Sequence, residues 1–298
     1  MQPLTLDRSR ELAFYQPPVQ ALGQLRLLTP ARGTAEAAEV SWLIATVLGG
    51  LGSFADAVAV LAPLLAGEPP TPPVVTALAC ETMASLLRQV GRHMQAEAHD
   101  ERGLRLANAA PLPGALEAVL DCQVGLVADA VGQADVPTAR RRLDVARATA
   151  EGLGSALWRP RLRVQWVTAE VALLVGAADA AVAAGAAAVG AAEAARAPRH
   201  LAKGLLFLGV ASLAAGDRDN GVAHLERAAA LAGDVGALPL VWPANAVLAR
   251  VLQPDAAAPE RHRVAAARAV RELANRLPPG WRDAWLASPD VAWLVGHS

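Results

Sequence analysis

Apolar residues along the chain recur at three- and four-residue steps, which is the spacing of one face of an α-helix. After residue 216, for example, Val222, Leu225 and Ala228 follow this spacing, while Glu226 and Arg227 fall on the opposite side. Runs of this kind end at turns that mostly contain glycine, and a second run begins a few residues later. The pattern predicts pairs of antiparallel helices joined by short turns.

Five such turns recur at a nearly constant interval along the sequence. They begin at positions 52, 91, 134, 176 and 216, which gives a period of about 40 residues. Each is followed five positions later by Ala or Gly. A period of this length is typical of stacked helical hairpins. Proline-containing segments lie between the units, and we interpret Pro and Gly as marking helix boundaries rather than interiors. A sixth hairpin is predicted, with helices over 243–252 and 259–276 joined across 253–256.

One unit, residues 202–235, carries the clearest signature. It has a Leu-Gly pair in the first helix, a Gly at the turn, and large and small apolar positions in the second helix: Leu208-Gly209, Gly216-Asp217, Leu225 and Ala228. These features resemble the tetratricopeptide repeat. The other units match less fully, and Asp100 stands where a large apolar residue is expected. HEAT-type repeats have a similar period, but the Gly followed by Ala five positions later favours the tetratricopeptide interpretation.

The unit of that family is about 34 residues long, and the observed period exceeds it by about two helical turns per hairpin. The longer unit resembles the repeats at the C-terminal ends of large actinobacterial transcription regulators. The resemblance implies an all-α, right-handed α-solenoid of about six antiparallel hairpins over residues 34–276. We expect residues 1–33 to hold one capping helix, over 18–28. Residues 277–298 are expected to form C-terminal capping helices that carry Trp281, Trp285 and Trp293.

Composition and charge exclude several classes of function. The chain has 27 Lys plus Arg and 28 Asp plus Glu, a net charge of -1, so no electrostatic attraction favours nucleic acid or an anionic membrane. The N-terminus lacks the apolar run of a secretory signal, and no apolar stretch is long enough to span a bilayer. We therefore expect a cytoplasmic protein with no membrane partner.

Motifs with known chemistry are missing from the sequence. There is no phosphate loop, no H-E-x-x-H and no G-x-S-x-G. The segment 50–55 formally matches a dinucleotide fingerprint, but it joins two helices, so we interpret its glycines as turn residues. The six histidines lack metal-binding spacing and are expected to be dispersed on the surface. We therefore predict no metal, no cofactor and no enzymatic activity.

The two cysteines, Cys80 and Cys122, lie one repeat period apart. They are expected to occupy equivalent positions on neighbouring helices. Packing explains such a pair, with an oxidisable pair as the alternative.

In the tetratricopeptide family, one face of the first helices lines a concave groove, and that resemblance places the candidate site here. Counting back from each turn gives ten partner-binding candidates: Trp42, Glu81, Gln89, Asp121, Arg163, Trp166, Glu170, Lys203, Phe207 and Asn245. Arg163, Lys203 and Asn245 could orient an acidic or carboxylate-bearing peptide, with the rings of Trp166 and Phe207 supplying contact area. The alternative is that the rings pack between helices and the charges face solvent.

Two further segments carry competing interpretations. The run from Trp158 to Trp166 has three arginines between tryptophans and could stack on nucleic-acid bases, but the neutral overall charge argues against that class. After Asp179, Ala and Gly occupy nearly every position to residue 195. Such a helix is usually packed tightly inside, and an exposed part would suit a partner helix or a second copy of the chain.

Together these features predict a noncatalytic scaffold or sensor that binds a protein or peptide partner in its groove, in bacterial transcriptional or signalling control. The alternative is a small-molecule-binding or enzyme-accessory module that uses the same groove. An open trough would favour a peptide, and a closed pocket would favour a metabolite.

Overall fold

A computed structural model describes residues 6–28, 33–67, 71–111, 114–152, 157–252 and 257–296. Within these ranges the regular structure is helical and no strand is formed, which confirms the all-α class. The helices are α1 Leu6–Tyr15, α2 Pro18–Arg26, α3 Ala35–Leu51, α4 Phe54–Ala66, α5 Pro73–Arg88, α6 His93–Asn108, α7 Leu116–Gly132, α8 Val136–Glu151, α9 Trp158–Leu174, α10 Ala178–Ala194, α11 Pro198–Ala214, α12 Arg218–Asp234, α13 Leu238–Val251, α14 Ala257–Ala274, α15 Arg282–Leu286 and α16 Pro289–Val295.

Helices α3 to α14 form six hairpins, in agreement with the predicted number. In each hairpin an odd-numbered helix, here called the A helix, packs against the even-numbered B helix that follows. Successive A helices also contact one another, from α3 through to α13. This stacking is the predicted tetratricopeptide-like solenoid, and it places the A helices side by side along one surface.

The five predicted turns all contain a residue in the left-handed region. The φ angles are 83° at Gly52, 76° at Gly91, 56° at Ala134, 74° at Gly176 and 84° at Gly216. At Gly52 the backbone N–H groups of the turn bond back to the carbonyls of the last helical turn, which ends α3. The predicted register of the hairpins is therefore confirmed at every anchor.

The Leu208-Gly209 pair has a packing explanation. A Cβ placed on Gly209 would lie 2.7 Å from Cγ of Leu225 and 3.1 Å from the carbonyl oxygen of Gly221. Only glycine lets α11 approach α12 this closely. A separate contact explains why glycine replaces alanine at position 221, where a Cβ would lie 2.7 Å from Cγ of Leu213 and 3.1 Å from its backbone nitrogen.

The expectation that Pro and Gly stay at helix boundaries is wrong in several places. Pro63 lies inside α4 and Pro243 lies inside α13. Helix α13 begins at Leu238, five residues before its predicted start, because Pro239 occupies the first turn, where a missing N–H is tolerated. The predicted joint over 253–256 lies outside the described residues.

The N-terminal segment contains two helices rather than the single one expected. Helix α2 matches the prediction, and α1 was missed. Helix α1 packs on α3, with Ser9 and Leu12 buried. Arg10 of α1 also reaches Glu39 of α3, at 2.5 Å, and Glu117 of α7. This helix therefore bridges A helices of different hairpins.

The last hairpin packs against the first, so the stack closes into a ring. Helix α13 contacts α3, and the side chain of Leu273 in α14 lies against the backbone of Gly52. The N–H of Ala55, in the first turn of α4, donates to the carbonyl of Arg276 at 2.8 Å. An N-terminal N–H group of α4 thus donates to the segment that follows α14.

The C-terminal tryptophans reinforce this closure. Trp285 is buried and its ring lies 6.3 Å from that of Trp242 in α13. The guanidinium of Arg92 lies over the ring of Trp281, and it also donates to the carbonyl of Gly280 at 2.7 Å. The expected cap therefore covers the last hairpin and also links it to the turn before α6.

Cys80 and Cys122 are buried on α5 and α7, which are neighbouring A helices as their spacing predicted. Both side chains also lie against Gly103 of α6. In α10 a stripe of small residues is buried, in line with a tightly packed helix: Ala181, Ala184, Ala188 and Ala192. In the described part of the chain, no helix is long and apolar enough to cross a membrane.

Candidate ligand chamber

Two adjoining cavities lie between the A helices, and together we call them the chamber. The inner recess has a volume of about 80 Å³ and lies between α3, α5, α9 and α11. The main cavity has a volume of about 250 Å³ and extends to α7 and α13. Side chains from α5, α9 and α11 form the wall that both share: Ser85, Gln89, Arg163, Trp166, Arg199 and Lys203.

Seven of the ten predicted groove residues line this chamber. Gln89, Arg163, Trp166 and Lys203 face both cavities, Glu81 faces the inner recess, and Glu170 and Phe207 face the main cavity. Counting back from the turns therefore selected residues on the faces of α5, α9 and α11 that line the chamber.

The other three predicted residues do not line the chamber. Trp42 is buried and donates from Nε1 to Oγ1 of Thr82 at 2.9 Å. Asp121 is fully buried behind the wall. Asn245 donates to the carbonyl of Val241 and bonds Nδ1 of His262 at 2.7 Å. The expected peptide-orienting role of Asn245 is therefore corrected, since its amide serves the contact between α13 and α14.

A continuous set of ion pairs, here called the ionic ladder, runs behind and along the wall. Four arginines alternate with six carboxylates: Arg10, Arg88, Arg159 and Arg163 with Glu39, Glu81, Asp100, Glu117, Asp121 and Asp129. Arg159 pairs with Glu117 at 2.9 Å and also with Asp121. Each arginine of the ladder contacts at least two carboxylates, so these guanidinium groups are neutralised within the fold.

Arg163 is the clearest case, and its predicted role changes. It pairs with Glu81 and, at 2.6 Å, with Asp121. Burial would raise the pKa of Glu81, but the guanidiniums of Arg163 and Arg88 hold that pKa below its ordinary value. Arg163 is therefore a charge-balancing residue of the wall rather than a free donor.

At the other end of the ladder, Arg88 forms ion pairs with Asp100 of α6 and, at 3.2 Å, with Asp129 of α7. Asp100 stands where the repeat pattern predicted a large apolar residue. Both carboxyls are buried. Burial raises the pKa of Asp100 well above its ordinary value, although Arg88 opposes the shift. Burial also raises the pKa of Asp129, opposed by Arg88 and by a hydrogen bond with Asp100. Asp100 thus behaves as a polar partner for Arg88 at a position where an apolar residue was expected.

The tryptophan-arginine run of α9 is accounted for by intramolecular contacts. Trp166 stacks on His200 with ring centroids 5.6 Å apart, and Trp158 lies edge-on to the same ring at 5.2 Å. Arg159 and Arg163 are engaged in the ladder. Two arginines and both tryptophans of the run therefore serve the fold, which disfavours the nucleic-acid interpretation.

The expectation that histidines lie on the surface is wrong for His200 and His262, which are buried. Burial, with the cations Arg199 and Arg159 nearby, holds the pKa of His200 well below its ordinary value. The ring is therefore neutral at pH 7 and acts as an aromatic spacer between Trp158 and Trp166.

Two cations of α11 form no ion pair with the residues that the structure describes. Arg199, which the sequence analysis missed, also forms no hydrogen bond among them, and its Nε is buried. Lys203 is the only lysine in the sequence. Its ammonium lies 4.4 Å from the ring centre of Trp166 and 5.5 Å from that of Phe207. The chamber therefore presents two positive groups beside aromatic surface.

Burial lowers the pKa of both cations. Burial and the nearby charges of Arg163 and Arg159 lower the pKa of Arg199 to about 10. Burial, partly offset by Glu170, lowers the pKa of Lys203 to about 8. Both groups carry a positive charge at pH 7, and without a paired carboxylate that state is costly.

Sequence comparisons return no match to a protein-family model or to a curated protein, whereas the fold matches solved structures. A Rap protein in complex with the competence and sporulation factor is 12% identical, with a TM-score of 0.58. That match covers 94% of this chain and 78% of the other.

Two further structures share the fold. A STAND-type signal transduction ATPase with a tetratricopeptide repeat sensor, from Pyrococcus horikoshii, is 14% identical with a TM-score of 0.51. The match covers 92% of this chain but 41% of that protein. Aspartyl phosphate phosphatase F from Bacillus subtilis is 10% identical, with a TM-score of 0.50, covering 99% and 83% of the two chains. At these identities the likeness concerns the tetratricopeptide-like fold.

Proposed function

We propose that this protein is a noncatalytic regulatory module that binds a ligand, foremost a short peptide, in the chamber formed by its A helices. The observation that carries the proposal is the convergence of charged, amide and aromatic side chains from α5, α9 and α11 on one pair of adjoining cavities. Chambers that combine a few directed polar groups with ring surface are suited to binding and orienting a ligand.

The structural neighbours support a regulatory role by analogy of fold. One was solved with a competence and sporulation factor bound, and another carries a tetratricopeptide repeat sensor beside an ATPase. The long period supports placement among arrays like those of actinobacterial transcription regulators. We therefore assign the module to bacterial signalling or transcriptional control.

The noncatalytic assignment rests on the state of the reactive groups. Burial raises the pKa of the Cys80 thiol to about 11 and that of Cys122 well above its ordinary value, so neither is a ready nucleophile at pH 7. The carboxylates Glu81 and Asp121 are committed to arginines. These two thiols and two carboxylates are therefore not poised to attack a substrate or to transfer protons.

The size of the chamber favours a second candidate, binding of a small molecule. Its two cavities have volumes of about 80 and 250 Å³. A compact metabolite fits this space more readily than a long peptide. Both candidates use the same wall, and one experiment separates them.

We expect Phe207→Ala to weaken ligand retention by about tenfold or more, because ring surface at the centre of a binding site carries much of the binding energy. Purified protein would be equilibrated with the low-molecular-mass fraction of the source cell, re-isolated and analysed by mass spectrometry. Protease treatment of the fraction distinguishes a peptide from a metabolite.

The matched control is Arg227→Met, since Arg227 forms an exposed pair with Glu193 at 3.0 Å, away from the chamber. A species retained by the wild type and by Arg227→Met but lost by Phe207→Ala supports the proposal. Equal retention by all three proteins contradicts chamber binding, and conversion of the retained species to a product contradicts the noncatalytic role.

A further inference from the structure

The charges of the wall are arranged in two columns that repeat with the hairpins. One column runs through Glu117, Arg159 and Arg199, and the other runs through Glu81, Asp121, Arg163 and Lys203. Neighbouring members of a column are separated by one repeat period. In both columns the acidic residues lie on α5 or α7 and the basic residues on α9 and α11.

The columns end without a paired counter-charge. Their acidic residues, on α5 and α7, pair with the arginines of α9, so none remains for the cations of α11. The next positions, one period further along the chain on α13, are Pro239 and Pro243, whose side chains carry no polar group. Arg199 and Lys203 therefore face the chamber without a paired carboxylate.

One acid outside the columns, Glu170 of α9, faces the same cavity as Lys203. It forms no ion pair with Lys203 among the described residues, and burial raises the pKa of its carboxyl. Glu170 therefore reduces the positive charge around the lysine only in part, and it leaves Arg199 without a partner.

Other polar groups of the inner recess are largely engaged within the fold. The hydroxyls of Thr46 and Thr82 donate to helical carbonyls, those of Trp42 and Leu78. Ser85 stands on the same wall, and the amide of Gln89 donates to the carbonyl of Ser85 at 3.0 Å, which leaves its second N–H for a ligand. A volume of about 80 Å³ holds one compact polar group, and the main cavity adjoins it.

Glycine in α3 makes room for the arginine. A Cβ placed on Gly50 would lie 2.7 Å from Nε of Arg199 and 3.2 Å from its Cδ. The guanidinium thus passes directly over the backbone of α3. Gly50 was interpreted above as a turn residue, but it lies inside α3 and acts here as a positioning residue for Arg199.

We propose that the inner recess is an oxyanion subsite, in which Arg199 and Lys203 bind a carboxylate or phosphoryl group of the ligand while the remainder of that ligand lies in the main cavity. This inference rests on the proposed function and names the chemistry of its ligand. An oxyanion supplies the missing counter-charge, and charge-assisted hydrogen bonds from a guanidinium and an ammonium bind it strongly.

The direct test uses malonate and inorganic phosphate as probes against chloride at equal ionic strength. We expect a saturable rise in the melting temperature of the wild type, and about tenfold or greater loss of affinity in Arg199→Met and in Lys203→Met. Arg227→Met should behave as the wild type. Binding of malonate alone identifies a carboxylate, and binding of phosphate alone identifies a phosphoryl group.

Stability without ligand gives an independent readout. Because Arg199 is an unpaired, partly buried charge, Arg199→Met should raise the melting temperature while it abolishes anion binding. If Arg199 instead stabilised the fold, Arg199→Met would lower the melting temperature. Gly50→Ala should weaken anion binding with the charge retained, because it displaces the guanidinium.

Absence of a saturable effect of either anion, or equal effects in Arg199→Met and the wild type, would overturn the subsite. Failure of the proposed function is distinguishable from this outcome. If Phe207→Ala loses the cellular ligand but Arg199→Met keeps it, the chamber binds a ligand and the oxyanion subsite is wrong.

Anion affinity should also depend on pH through Lys203. Burial lowers the pKa of Lys203 to about 8, and the charged groups that face it are Glu170 and Arg163 of α9, Arg199 of α11 and Arg88 of α5. Below that pH the amine is charged, so the affinity for malonate should fall as the pH rises through about 8. Calorimetric titration with malonate between about pH 6.5 and 9.5 measures this. Lys203→Arg should flatten the profile, and a flat wild-type profile contradicts a role for the lysine.

Discussion

Replacing Arg163 by methionine is expected to lower the free energy of unfolding by about 3 kcal/mol. The side chain is 11% exposed and pairs with two buried carboxylates, Glu81 and Asp121. Removing it leaves both without their shared cation. Loss of one partner from a buried pair typically costs about 3–5 kcal/mol. The lower end applies because Glu81 keeps Arg88, at 3.6 Å, and Asp121 keeps Arg159.

Urea unfolding followed by circular dichroism measures this loss, and two arginine variants serve as references. Arg227→Met removes an exposed pair and should cost less than about 1 kcal/mol. Arg199→Met removes an unpaired charge and should stabilise. The three arginines thus give three different results for the same substitution. A loss at Arg163 no greater than that at Arg227 would show that the ladder contributes little to stability.

Much of the fold was predictable because the repeat leaves local signals. Each turn must place a residue in the left-handed region, and four of the five anchors are glycine for that reason. The turn at Ala134 has no glycine and was identified only from its spacing to the neighbouring turns. Helix α1 was missed because its position depends on contacts with α3 and α7, which no local pattern encodes. Ring closure was missed for the same reason, since Leu273 of the last hairpin meets a glycine of the first.

The sequence predicted which helix faces line the chamber, but it did not predict which charged residues pair with one another. Counting from the turns placed seven of the ten candidates on the chamber wall. Five of the nine ion pairs of the ladder join residues about one or two periods apart, as in Arg88 with Asp129, separated by 41, and Arg163 with Glu81, separated by 82. Opposite charges at multiples of the period were therefore a usable signal. The same rule fails for Arg199, because Glu117 lies two periods earlier but pairs with Arg10 and Arg159 instead.

Leu273→Ala is expected to cost about 2–5 kcal/mol and, unlike other core truncations, to loosen the ring. Leu273 is 1% exposed and packs on the turn at Gly52, where α14 meets the first hairpin. Hydrogen exchange at the amide of Ala55, which bonds to Arg276 across this contact, reports the opening directly. We expect this amide to lose protection in Leu273→Ala.

Leu225→Ala is the matched control, because Leu225 is equally buried but packs within the hairpin of α11 and α12. Its cost in stability should be similar, at about 2–5 kcal/mol, while the Ala55 amide keeps its protection below the unfolding transition. Equal loss of protection in both variants would mean that the ring opens only by global unfolding. Selective loss would mean that the first and last hairpins separate as a unit, which would widen the chamber and give a ligand access to the cations of α11.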